Sequence, residues 1–156
     1  MSKLENSILG VQAPVVDSRI SSKIHFVTTC VIPENIVSLF KLSFEAIADQ
    51  MNFDGITIDQ IPMITCIFTT QEKIGILFDE NQESICMTLC VYRVDRICRH
   101  SIIHQLVIIV EELTHIIWNI SNEYYVCFKV FDIVKRIFPD VKINDLYNMN
   151  EAEKYK

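Results

Sequence analysis

Glycine is nearly missing from this sequence, with three in 156 residues. No glycine-rich loop is available to cradle a phosphate, and no dinucleotide-binding fingerprint follows any strand-like run. Kinases, P-loop NTPases and Rossmann enzymes are disfavoured together. Also lacking is any excess of positive charge. The chain carries 14 basic against 20 acidic residues, a formal charge of −6. Its densest basic stretch, Arg93, Arg96 and Arg99, is interrupted by Asp95. Neither nucleic acid nor an anionic membrane surface is an expected partner. No apolar run is long enough to span a bilayer, which takes about 20 residues. The most apolar stretch, residues 102–120, is broken by His104, Gln105, Glu111, Glu112 and His115.

There is no C-x-x-C pair among the six cysteines, and the first ten residues have no signal-like apolar core. The expected compartment is therefore the reducing cytoplasm, with the cysteines as buried thiols rather than a disulfide framework. Cys86 and Cys90 share a face if they lie on one strand, and packing is the expected role for both. Cys98 beside His100 offers a nucleophile and a base, but no spacing fixes their geometry.

What is present is apolar bulk. Half of the residues are hydrophobic, enough for one domain with a substantial core. Residues 1–20 read as a flexible N-terminal arm, 21–143 as a single domain, and 144–156 as a polar, fraying tail. Residues 24–31 are β-branched and aromatic and predict a strand. Ile36, Val37, Phe40, Phe44, Ile47 and Met51 recur at helical spacing and predict a helix over 33–51, ended by Asp54-Gly55. Three strand-like runs follow, near 63–69, 74–78 and 84–94. Their linkers, 70–73 and 79–82, are short and polar, which predicts antiparallel hairpins and a meander. A nearly all-apolar helix is expected over 101–119. A last helix is expected from an N-cap at Ser121 to Phe138, stopped by Pro139. The expected fold is α+β: an antiparallel meander packed by one N-terminal and two C-terminal helices.

Inside the apolar helix sit Glu111, Glu112 and His115. Buried ionisable groups need water, partners or a metal. At about 100° and 1.5 Å per residue, Glu111 and His115 lie one turn apart on one stripe and can converge on a single ion. Glu112 falls about 100° to one side. His100 and His104 form a separate pair near the helix start, too far away to join. Glu112-x-x-His115 is also half of the motif of carboxylate-bridged di-iron bundles, but no second copy is present.

The segment Val110-Glu111-Glu112-Leu113-Thr114-His115 resembles the active-site helix of zincin metallopeptidases, whose pattern is H-E-x-x-H. The resemblance covers about residues 105–131 in motif and 24–138 in architecture, and it implies a minimal zincin-like core. By that resemblance His115 is a histidine metal ligand and Glu112 the catalytic general base. Glu123, in the next helix, supplies a third ligand. Glu111 stands where the first histidine belongs. A Glu-His-Glu set has two anions, which suits harder metals, iron or manganese, better than zinc. The expectation is a zincin-like domain that retains a metal but lacks ordinary peptidase activity. The alternative is a non-catalytic interaction module without metal, for which the apolar, acidic composition suits a protein partner or a homo-oligomer.

Overall fold

In the structure, a computed structural model, residues 12–73 and 87–156 are described, Met87 by its backbone alone. Strand β1 (Ile24–Thr28) leads into helix α1 (Glu34–Asp54), which returns the chain to strand β2 (Met63–Thr69). Strand β3 (Met87–Arg93) runs into a single turn, α2 (Val94–Ile97). Helices α3 (Ile102–Ile117) and α4 (Glu123–Ile137) follow, then two further turns, α5 (Ile143–Leu146) and α6 (Met149–Ala152).

The sheet has the order β1-β2-β3, and both pairings are parallel. Ile24 lies opposite Ile64, and Cys66 opposite Cys90. The expected antiparallel meander is thus corrected, although α+β stands. The physical reason is visible in β2. A strand with one wet face alternates apolar and polar residues. The run Ile64-Thr65-Cys66-Ile67-Phe68-Thr69 is instead buried throughout, as strands of parallel sheets are. Parallel neighbours cannot be joined by a tight hairpin. The 21-residue α1 is the crossover between β1 and β2, and the strand expected at 74–78 lies outside the described residues.

Helix α1 starts where Pro33 fixes the chain and ends at Gly55, whose φ of 73° suits the left-handed cap. Its Phe40 and Phe44 meet Phe26, Phe68 and Tyr92 from the three strands, with ring centroids 4.9–6.0 Å apart. Tyr92 is fully buried and donates its hydroxyl to the Ile109 carbonyl at 2.9 Å, which joins β3 to α3. Helix α3 buries Leu106, Ile109, Val110 and Leu113 completely. It packs on both α1 and α4. No described helix is long and apolar enough to cross a membrane.

Asp54, the last residue of α1, fastens the three long helices together. It accepts from the Trp118 indole nitrogen at 2.8 Å and from the Lys129 ammonium at 2.7 Å. Burial raises its pKa, but the bonds from Lys129, Trp118 and Gln50 outweigh this and hold it below the usual carboxylate range. The expected polar tail is not featureless. Leu146 is buried, and α5 packs against α3 and α4.

Candidate metal centre

The end of α3 and the start of α4 determine where the ionisable groups lie. Helix α3 stops in a Schellman turn: Asn119 takes a left-handed φ of 54°, and the Ile120 amide bonds the His115 carbonyl at 3.2 Å. This fold-back also brings the Ile120 carbonyl to 2.5 Å from His115 Nδ1. A carbonyl only accepts, so Nδ1 carries a proton, which leaves Nε2 as the nitrogen that can offer a lone pair. Helix α4 is capped by Asn122, which accepts from the Tyr124 and Tyr125 amides at 2.9 and 3.3 Å. Ser121, expected as the cap, lies one residue too early. The two-residue step from the Schellman turn leaves Asn122 facing the free amides. Glu123 thereby becomes the first residue of α4.

These two turns bring Glu111, His115 and Glu123 together, with one donor atom of each within 4.8 Å of the others. His115 Nε2 lies 3.7 Å from a Glu123 oxygen. Glu111 and His115 are partly buried, whereas the Glu123 side chain is 56 % exposed, so the cluster opens to solvent on the α4 side. Glu112 is exposed and makes no hydrogen bond or ion pair among the described residues. The arginines before α3 pair elsewhere: Arg93 with Asp95 at 2.8 Å, and Arg96 with Glu72 at 3.7 Å. His104 bonds Ser101 at 2.8 Å at the start of α3 and stays apart from the cluster. Cys98 is exposed, whereas Cys66, Cys90 and Cys127 are buried.

Two groups complete the surroundings. Tyr147, from the tail, donates its phenol to Glu111 Oε2. Burial and the Glu111 carboxylate push the phenol well above its usual range, so it remains a donor. Cys127 lies one turn along α4 from Glu123 and donates to the Glu123 carbonyl at 3.0 Å. Burial, with Glu111 and Glu123 nearby, pushes its thiol up to about 11. Neither group belongs to the E-E-x-x-H pattern. The available signal for Tyr147 was the Leu146-Tyr147 pair within an otherwise polar tail.

The electrostatics of Glu111 are unfavourable as they stand. Burial raises its pKa most, and Glu123 and Glu112 raise it further, against the lowering effect of Tyr147 and His115. A lone pair at His115 Nε2 facing two carboxylates calls for a cation between them, either a proton on the imidazole or a metal ion. The donor set fits a metal. Bonds of about 2.0–2.2 Å place adjacent donors roughly 3–4 Å apart, so the three groups need to contract only slightly. Two carboxylates balance a divalent charge. The Ile120 carbonyl orients the imidazole, and Tyr147 orients Glu111, as outer partners do around metal ligands. No protein-family model, curated protein or solved structure matches the chain.

Proposed function

We propose that this protein is a metal-binding domain with a zincin-like helix and no ordinary peptidase activity. Glu111, His115 and Glu123 hold the ion. The single observation behind this reading is the convergence of their donor atoms within 4.8 Å across two helices. Iron or manganese suits the set better than zinc, because two of the three donors are hard carboxylates. An ion bound there supplies a Lewis acid on the solvent-open side of the cluster. Two carboxylates quench its charge more than two imidazoles do, which weakens it as a hydrolytic centre. Exposed Glu112 is the residue available as a general base for any chemistry that the site retains.

The experiment is metal analysis of tag-free protein together with thermal melting in chelator. One equivalent of iron or manganese is expected, with a lower melting temperature once the metal is stripped. Glu111→Gln and His115→Gln each abolish loading. A metal-free protein whose melting is indifferent to chelator and to added Mn2+, Fe2+ and Zn2+ would sink the reading.

The second reading is an interaction module without metal. Tyr125 and Phe128 favour it: they lie on the outer side of α4 and are 54 % and 41 % exposed. Around them Tyr124 makes edge contacts at 5.3 and 5.1 Å. In that reading His115 and Glu123 form a simple ion pair at two helix ends of complementary dipole. Light scattering after size exclusion separates the two, since a metal-loaded strict monomer counts against the module.

A further inference from the structure

The metal reading accounts for three ligands but not for the phenol of Tyr147. This phenol comes from a segment that the sequence marks as a tail, yet it ends on the most desolvated ligand of the cluster. We infer that residues 143–152 form a strap whose docking is coupled to metal binding, with Tyr147 as the positioning residue for Glu111. This rests on the metal reading above and adds to it a dependence on the C-terminal segment.

Three observations carry the argument. First, Tyr147 bonds Oε2 of Glu111. A carboxylate on a helix turns about its terminal bonds, and a donor on one oxygen fixes its plane and leaves the other oxygen for an ion. His115 is held in a comparable way by the Ile120 carbonyl. Glu111 lies in the middle of α3, where the neighbouring backbone groups are committed to the helix, so its orienting group has to come from elsewhere in the chain. Second, the strap is anchored narrowly. Leu146 is the one buried residue of α5, and α6 buries none. Third, the strap is flanked by solvent. An open polar cleft of about 570 Å3 runs along it, lined by His104 at the start of α3 and by Asn144, Asp145, Tyr147, Asn148 and Asn150 among others. A segment with few apolar anchors and an open polar cleft along it opens at low cost. The Tyr147–Glu111 bond is therefore one of its few holds, beside the buried Leu146 and the packing of the Tyr147 ring on the core.

Coupling is reciprocal. If a docked Tyr147 raises the affinity of the ion, the ion must stabilise the docked strap by the same factor. Metal addition should therefore slow amide exchange in residues 143–152, none of which is a ligand.

The test uses the full chain with Mn2+ as the probe. Its affinity is read by electron paramagnetic resonance of the free ion, and the strap by hydrogen exchange with and without Mn2+. In wild type, saturating Mn2+ slows exchange over 143–152. Tyr147→Phe keeps the ring, binds Mn2+ about 10–100-fold more weakly, and loses most of the metal-induced protection. Leu146→Ala leaves the phenol in place but loosens the anchor. It weakens binding by a smaller factor, and it carries the test if Tyr147→Phe does not fold. Equal affinity of the folded variants and wild type, or strap exchange unchanged by Mn2+ in wild type, overturns the coupling alone. No Mn2+ binding by wild type at all fails the metal reading itself, and the coupling with it. A merely structural Tyr147 would speed strap exchange in the variant without moving the affinity.

Discussion

Glu111 is a carboxylate held where a neutral group would be more comfortable. Its pKa is raised in the folded protein, chiefly by burial, so folding favours its protonated form. The contribution to stability is full below the unfolded carboxylate value, near 4, and is lost as the pH rises through the higher folded value. Glu111→Gln should therefore stabilise the metal-free protein at neutral pH by about 0.5–1 kcal/mol, a modest gain because the group keeps some contact with water. Urea melts at pH 5 and pH 8 check this. The gap between wild type and variant should widen at the higher pH, and an E111Q protein less stable than wild type at pH 8 would contradict the assignment. A residue that costs stability and is relieved by a cation is what a binding site requires.

At the scale of elements, the decisive piece is the junction between α3 and α4. Asn119 adopts a φ of 54°, a region that asparagine tolerates and β-branched residues do not. Asn119→Gly should be neutral or mildly stabilising, whereas Asn119→Val should cost about 1–2 kcal/mol. If the turn also sets the His115 ring through the Ile120 carbonyl, N119V should weaken Mn2+ binding in the protein that remains folded. Calorimetric titration beside a thermal melt separates the two effects.

This junction also shows what could be read from the residues alone. Glu111 and His115 share a stripe because helical periodicity is local, so their pairing was legible from spacing. The arrival of Glu123 was suggested only by the zincin pattern, because the angle between two helices is set by a turn rather than by periodicity. The contribution of Tyr147 was hidden, because a contact across 36 residues leaves no periodic trace. The sheet was misread for a related reason. Short polar linkers resemble hairpin turns, but Ile64 to Thr69 is a strand buried on both faces. The absence of a wet side was the stronger cue, and it pointed to parallel neighbours.

Across the whole molecule, Asp54 works in the opposite pH direction from Glu111. Its folded pKa is depressed by Lys129, Trp118 and Gln50. Its contribution is present above the unfolded carboxylate value and is lost as the pH falls through the lower folded one. Asp54→Asn should cost about 1 kcal/mol at pH 7, because the Lys129 pair lies near the surface, and progressively less as the pH falls through the folded value. A chemical-denaturation series from pH 7 into the acid range tests it, and a pH-independent cost would show that packing rather than charge holds the three helices together. Together the two carboxylates give opposing slopes, with Glu111 favouring the acidic side and Asp54 the neutral side. A metal ion on Glu111 would hold the carboxylate ionised and so reverse the first slope, and would leave the second.

Trp118 is the sole tryptophan of the chain. It lies three residues beyond His115, and its indole nitrogen donates to Asp54. The protein therefore carries its own lamp beside the cluster. A paramagnetic ion held by His115, as proposed, should quench the emission of this indole, whereas a diamagnetic ion of the same charge should leave it bright. Occupancy can be followed by light alone, without a label, and the comparison of Mn2+ with Zn2+ separates an ion seated at the junction from one bound elsewhere on an acidic surface.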